Sequence, residues 1–240
     1  MNKTRLDQKL VQLGHAPTRS QAENLIRLGE VEVDGQVISK TGYFVSEKNQ
    51  IKVNQTENYV SRGGLKLSSA NKKFKIDFGD KIVLDVGSST GGFTDYSLQN
   101  GARKVIAVDV GTDQLHSKLR DNKQVELHEK TDIRVFKPKT VPDIILVDVS
   151  FISLRYILPH LVQILSKDSV TLAMVKPQFE AGKEQINRGV IKNERMRRQI
   201  LRDFENWVQE LFKIVDKADS EVAGNKGNLE RFYLLKLIKH

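Results

Sequence analysis

Leu84-Asp85-Val86-Gly87-Ser88-Ser89-Thr90-Gly91-Gly92-Phe93-Thr94-Asp95 joins two stretches of different periodicity. Before it, Lys81-Ile82-Val83-Leu84 is a short β-branched apolar run that suits a buried parallel strand. After it, Phe93, Tyr96, Ser97 and Leu98 begin a helical pattern, so the connection between them must be tight. Gly87, Gly91 and Gly92 remove Cβ where a ligand would approach backbone, and a helix N-terminus there offers free amide groups. The spacing G-x-x-x-G-G differs from the dinucleotide fingerprint G-x-G-x-x-G. With Asp85 entering the turn, it suits a nucleoside carrying an amino-acid tail better than a diphosphate. The next apolar run, Lys104 to Val108, ends in Asp109, 22 residues beyond Gly87, where a carboxylate can accept from both ribose hydroxyls. An ordinary strand-to-helix turn is also glycine-rich; the acid after the second strand is what favours a ligand.

The chain has 240 residues, enough for one large domain or a modest domain with an appendage. It carries 39 Lys and Arg against 30 Asp and Glu, a net charge of +9, which suits a polyanionic partner such as nucleic acid. The excess is uneven: residues 1–60 hold eight basic and seven acidic side chains, whereas 181–202 hold seven and two. Cysteine is absent, so disulfides and thiolate metal sites are excluded, and no metal cluster stands out among the five histidines. Neither a signal-peptide core nor an 18-residue apolar stretch occurs, so a soluble cytoplasmic protein without membrane contact is expected; a monomer is the separate expectation for its assembly.

Toward the N-terminus, Leu6, Leu10, Val11 and Leu13 mark a short amphipathic helix over residues 4–13 that Gly14 can end. Thr18 and Gln21 read as a capping box opening a second helix, which Gly29 stops. Val31–Val33, Asp34-Gly35 and Gln36–Ile38 read as a hairpin around a type I′ turn, with Ile51–Val53 adding a third strand. The run RLDQKLVQLGHAPTRSQAENLIRLGEVEVDG, residues 5–35, resembles the alpha-L RNA-binding module of a small-subunit ribosomal protein and of pseudouridine synthases. That resemblance makes Arg5, Lys9, Arg19 and Arg27 candidates for phosphate contacts; solvated helix faces are the alternative.

Residues 57–60 read as the join, after which Ser61-Arg62-Gly63-Gly64-Leu65-Lys66-Leu67 starts a new helix. A glycine pair inside a helix start costs about 1 kcal/mol per residue relative to alanine, and close approach by substrate or cofactor would explain it. Further on, Gly111 to Arg120 reads as a helix and Val125–Leu127 as a third strand. Asp132, beyond it, can meet an adenine amino group or close an Asx-turn. Ile144–Val147 is an apolar strand with Asp148 at its carboxyl end, where open α/β sheets place ligands. An unpaired carboxylate there is costly, so Asp148 needs a cation. Val170–Val175 delivers Lys176, whose extended geometry Pro177 enforces. A helix from about Asn193 to Leu211 buries Ile200, Leu201, Phe204, Trp207 and Val208, and the last two apolar runs suggest an antiparallel hairpin at a sheet edge with Glu230 opening the final strand. The basic run adds Arg188, Arg195, Arg197 and Arg198, with Arg62 further upstream, as candidates for RNA contact.

With SRGGLKL, LDVGSSTGGFTD, VDVSFISL, VKPQFEAGK and GNLERF in order, residues 61–240 resemble the TlyA family, historically called haemolysin A and related to the FtsJ-like enzymes. The resemblance implies an α/β chain: a Rossmann-like class I methyltransferase sheet, mostly parallel with an antiparallel last strand, over residues 61–240. A small N-terminal α+β RNA-binding domain over 1–56 and a linker at 57–60 precede it. It also implies an S-adenosylmethionine-dependent 2′-O-methyltransferase acting on a cytidine ribose of ribosomal RNA within ribosomal subunits, with the short chain ends favouring the large one. The family's Lys-Asp-Lys-Glu set falls on Lys66, Asp148, Lys176 and Glu230. Gly87, Ser88, Gly91 and Gly92 would wrap the methionine end of the cofactor beside Asp85 and Phe93, with Asp109 on its ribose and Asp132 on its adenine. Two departures stand out: Asp132 where many relatives have Asn, and Ser220-Glu221-Val222 where others have Ser-Pro-Ile.

The chemistry asks for such a set. A sulfonium methyl is a strong electrophile, so the protein must align it with the ribose oxygen and ease loss of the hydroxyl proton. A free lysine, with a pKa of about 10.4, is too protonated at neutral pH to serve efficiently as a base, and neighbouring charges must help. The expectation is Lys176 as proton acceptor, Lys66 as positive charge beside the developing alkoxide, and Asp148 and Glu230 as orienting acids, the four titrating as a unit. Two other classes remain open at this point: a non-catalytic RNA-binding or ribosome-assembly protein, and a pore-forming toxin, which would need a membrane-inserting or export segment.

Overall fold

The computed structural model describes residues 3–27, 29–54, 59–181, 190, 191, 193–222, 224 and 227–238. In chain order the amino-terminal module contains β1 (Thr4–Arg5), α1 (Leu6–Gln12), α2 (Arg19–Arg27), β2 (Val31–Val33), β3 (Gln36–Val37), β4 (Phe44–Val45) and β5 (Ile51–Val53). Leu6, Leu10, Ala22, Leu25 and Ile26 from the helices close over Val31, Val33 and Val45 to form one small core. The hairpin turn has Asp34 at φ 51° and Gly35 at φ 78°, the two positive values that a type I′ turn requires. Thr4 and Arg5 form no part of the first helix; they pair antiparallel with Val45 and Phe44. Thr18 Oγ1 accepts from the Gln21 amide at 3.2 Å, but the reciprocal half of the capping box is absent because the Gln21 carboxamide is committed elsewhere, to the Leu115 carbonyl at 2.9 Å.

The remaining chain contains α3 (Arg62–Phe74), β6 (Ile82–Val86), α4 (Gly92–Gln99), β7 (Lys104–Val108), α5 (Ser117–Arg120), β8 (Val125–His128), β9 (Ile144–Val147), a 3₁₀ turn (Leu154–Tyr156), α6 (Leu158–Leu161), β10 (Val170–Val175), α7 (Pro177–Glu180), α8 (Glu194–Val208), β11 (Phe212–Asp219) and β12 (Arg231–Leu237). Seven strands form one sheet in the order β11-β12-β10-β9-β6-β7-β8, and only β11 and β12 run antiparallel to their neighbours. Alternation along the central strands explains why both faces are covered. Leu84, Val86, Ile145 and Val147 face the core under α6 and α8, while Val83, Ile144 and Leu146 face that under α3 and α4. Leu84 is fully buried, so Leu84→Ala would cost about 2–5 kcal/mol.

Residues 111–115 are not helical, and α5 begins only at Ser117. Their carbonyls receive side chains of the module instead: Ser20 Oγ donates to Thr112 O at 2.8 Å, Thr18 Oγ1 to Asp113 O at 3.2 Å, and Gln21 to Leu115 O. Tertiary bonds thus take the place of helical ones. From β6 the chain builds outward to β7 and β8, then returns to place β9 on the other side of β6. The crevice at this reversal, outside the carboxyl ends of β6 and β9, is where a ligand finds room in such a sheet.

Candidate active site

A cleft of about 610 Å³ opens at that reversal. Strand register brings the four-residue set to its floor. Val147 pairs with Ala173 in parallel, and Val175 pairs with Arg231 antiparallel, so Asp148, Lys176 and Glu230 each leave the sheet at the same edge. Lys66 arrives from the first turns of α3. All four line the cleft as two ion pairs. Lys66 Nζ lies 2.7 Å from Glu230 Oε2, and Lys176 Nζ lies 2.6 Å from Asp148 Oδ1. The second pair is electrostatic rather than directed: Asp148 Oδ1 has no bond of hydrogen-bond geometry, and the Lys176 ammonium donates to Ser150 Oγ at 2.8 Å. Glu230 is almost wholly buried and Lys176 nearly so, so each charge depends on its partner.

The glycine turn differs from its sequence reading. Gly87 has φ +82°, and a Cβ there would come within 2.7 Å of the Asp148 carbonyl. A Cβ on Gly91, at φ +96°, would run into Leu115 and Leu119, and one on Gly92 into Ser61 and Gly63. Gly87 and Gly92 are required by close packing against backbone, and Gly91 by its left-handed conformation. Close packing also explains the pair Gly63-Gly64: Gly64 packs under the ring of Tyr59 and Gly63 against Gly92. Ser61 caps α3 by accepting from the Gly63 amide.

Two other groups point to a ligand. Asp85 Oδ1 and Ser88 Oγ are buried and have no hydrogen-bond partner among the described residues, and both residues line the cleft. Burial pushes the Asp85 carboxyl up to about 7 against the Thr94 hydroxyl donating at 2.6 Å, with Asp148 and Asp109 adding repulsion. An entering cation would relieve both the orphaned oxygen and the repulsion. Asp109, just beyond β7, accepts from the Ser89 amide at 2.8 Å and the Gly111 amide at 2.7 Å, which fixes its carboxylate and leaves lone pairs toward the cleft. Phe93 is buried against Phe232 in the core and contributes one edge to the wall. Asp132 lines the cleft but closes an Asx-turn with the Arg134 amide and binds the Arg134 guanidinium at 2.6 Å, which holds its carboxyl below the usual range.

The proposed RNA contacts separate into groups. Arg5 and Arg19 converge on the fully buried Asp7 at 2.7 and 2.9 Å, while Lys9 is half-buried. Arg27 is exposed with an i,i+4 pair to Glu23, and it lines the cleft together with Arg62. Arg195 and Arg198 are exposed on α8. Arg197 is a correction: it is buried, bound to Asp219 at 2.6 Å and to the Leu229 carbonyl at 3.2 Å, so its charge ties α8 to the final strands and is closed to RNA. Arg188 and residues 57 and 58 of the join lie outside the described residues.

Sequence reasoning passed over Ser150, which accepts from Lys176, and Asn24 and Glu30, which the module brings to the cleft. It also passed over Phe151. This ring is 79% exposed at the rim, 5.2 Å from Phe179, on backbone with φ 68°. A bulky residue held in the left-handed region is uncommon and marks a functional candidate.

FtsJ-like methyltransferases match residues 59–237 and the S4 domain matches residues 4–51. The chain belongs to the TlyA branch of the FtsJ-like methyltransferases. It is 37% identical to the 16S/23S rRNA (cytidine-2′-O)-methyltransferase TlyA of Mycobacterium tuberculosis over 98% of this chain and 90% of that one. It is 40% identical to the 23S rRNA (cytidine-2′-O)-methyltransferase TlyA of Campylobacter jejuni over 74% of this chain and 71% of its relative. A solved structure from Streptococcus thermophilus, described as a candidate hemolysin, has 38% identity and a TM-score of 0.76 over all of this chain and 90% of that one. As a TlyA-type enzyme it takes its methyl group from S-adenosylmethionine. Asp85 and Ser88 would hold the methionine end and Asp109 the ribose, which the orphaned buried oxygens and the fixed carboxylate fit. No helix among the described residues is long and apolar enough to cross a membrane.

Proposed function

We propose that this protein methylates the 2′-hydroxyl of a cytidine ribose in ribosomal RNA, with Lys66, Asp148, Lys176 and Glu230 as its catalytic set. The observation that carries the reading is the convergence of two lysine–carboxylate pairs, drawn from four separated segments, in one cleft beside the orphaned Asp85. The shared 23S target in the names of the two TlyA relatives favours the large subunit. A ribosomal substrate implies work in the cytoplasm.

The bound donor supplies a methyl activated by its sulfonium. As the methyl passes to the ribose oxygen and the C–S bonding pair stays on the departing neutral thioether, the hydroxyl proton would pass to Lys176 Nζ, which must enter the step as the amine. Asp148 and Ser150 hold this nitrogen in place. Lys66, fixed by Glu230, supplies positive charge where the alkoxide develops. Phe151 at the rim offers a face on which the target base can stack, and exposed Arg19, Arg195 and Arg198, with half-buried Arg5 and Lys9, offer phosphate contacts.

Purified protein, ribosomal subunits and methyl-labelled S-adenosylmethionine test the reading. Label recovered on cytidine ribose in large-subunit RNA by mass spectrometry is the expected result. Cofactor binding without transfer would replace it with a binding-module role, and an unmodified large-subunit RNA beside a labelled small-subunit RNA would reassign the substrate.

A further inference from the structure

We infer that α2 of the RNA-binding module is a working wall of the methyl-donor pocket, with Asn24 as a positioning residue for the cofactor loop. The Asn24 carboxamide donates from Nδ2 to Ser89 Oγ at 2.7 Å and to Thr90 Oγ1 at 2.9 Å, in the turn between β6 and α4. Ser89 stands at φ 51°, a left-handed conformation that a serine keeps only when its surroundings hold it there. In that conformation its amide points at Asp109 Oδ2, 2.8 Å away. A chain of bonds thus runs from a helix of the module to the carboxylate that meets the cofactor ribose. Asn24, Arg27 and Glu30 themselves line the cleft, and Glu30 accepts from the Arg62 amide at the start of α3.

Of the other bonds across this interface, those from Thr18, Ser20 and Gln21 end on carbonyls of residues 113, 112 and 115, and that of Glu30 on the Arg62 amide. They dock the module; Asn24 alone among these side chains bonds to the glycine turn. Removing its carboxamide frees Ser89 to relax, loosens the donor that fixes Asp109, and leaves the cofactor to order the loop when it binds. The same helix belongs to the RNA-binding module, so RNA that steadies α2 strengthens cofactor binding, and by linkage the cofactor strengthens RNA binding by the same factor.

The inference rests on the methyl-donor assignment, and its test separates the two. Calorimetric titration of the full-length chain with S-adenosylmethionine is run on wild type, Asn24→Ala and Ser20→Ala, with thermal melts to confirm folding. The expected result is a Kd weakened about tenfold in Asn24→Ala, an unchanged Kd in Ser20→Ala, and a kcat at saturating cofactor within about twofold of wild type. Wild-type affinity in Asn24→Ala, or equal weakening in both variants, would overturn the role given to Asn24 while leaving the methyl-donor assignment intact. If the alanine chain does not fold, Asn24→Ser is read by the same criteria. A wild-type chain that binds no cofactor overturns the donor assignment and this inference with it.

Discussion

Lys66 Nζ and Glu230 Oε2 meet at 2.7 Å although 164 positions separate them. The lysine comes from a helix that precedes the sheet and the acid from the residue before its last antiparallel strand, so their contact exists only once the whole sheet has closed. Glu230→Ala strands a largely buried ammonium, and breaking such a pair costs about 3–5 kcal/mol. Glu230→Gln keeps an acceptor of the same shape. The expected outcome is a marked fall in Tm for the alanine variant alone and lost turnover in both, read by calorimetry and by methyl incorporation.

Lys176→Ala removes the proposed proton acceptor without touching Asp85, Ser88 or Asp109. Cofactor affinity should stay near wild type while transfer falls about 10²–10⁴-fold. Single-turnover labelling separates the two quantities, and turnover retained in this variant would take lysine out of the base role.

Asp85 makes the ligand-free protein sensitive to pH. Its carboxyl is pushed up to about 7, chiefly by burial, from an ordinary value near 3.8. Between those values the folded chain holds a proton that the unfolded chain has lost, so folding stability falls as pH rises from about 4 to 7. Asp85→Asn should flatten this slope in denaturant titrations. Cofactor affinity should run the other way and rise toward pH 7 as the carboxylate ionises to meet a cation.

Asp7 shows the opposite sign. Burial pushes its carboxyl up, but the Arg5 and Arg19 guanidinium groups and the Gln8 amide prevail and hold it at about 2. Its contribution is present above about pH 4 and is lost as pH falls toward 2. Acid unfolding of the module should therefore begin earlier in Asp7→Asn, and the variant should also show a shallower salt dependence of RNA binding because two arginines lose their anchor.

Phe151→Ala tests the rim. A stacked base is worth about 1–3 kcal/mol, so kcat/KM for RNA should fall about tenfold or more while cofactor Kd stays constant. Equal activity would leave the exposed ring without a role in substrate positioning.

Much of the fold was legible because burial imposes periodicity. Strands covered on both faces read as continuous apolar runs at Ile82-Val83-Leu84 and Ile144–Val147, and the final hairpin followed from the same signal. Misreadings arose where a distant partner overrode the local pattern. Residues 111–115 looked helical until the module claimed their carbonyls; Arg197 looked like part of a basic surface until Asp219 and the Leu229 carbonyl drew it inside. The glycines of the turn were read as room for a ligand, whereas their Cβ positions are filled by Asp148, two leucines and the start of α3.

Residue order carried a glycine turn with an acid after the next strand, and its ordered motifs carried the family resemblance that picks out two lysines and two acids, because both are written in local stretches of chain. Which lysine faces which acid, that Asp85 Oδ1 and Ser88 Oγ are buried without a partner among the described residues, and that Asn24 of the small module bonds to Ser89 and Thr90 were decided by tertiary packing. Those pairings depend on strand order and register across seven strands, and on one domain pressed against another. No local stretch of chain contains that information.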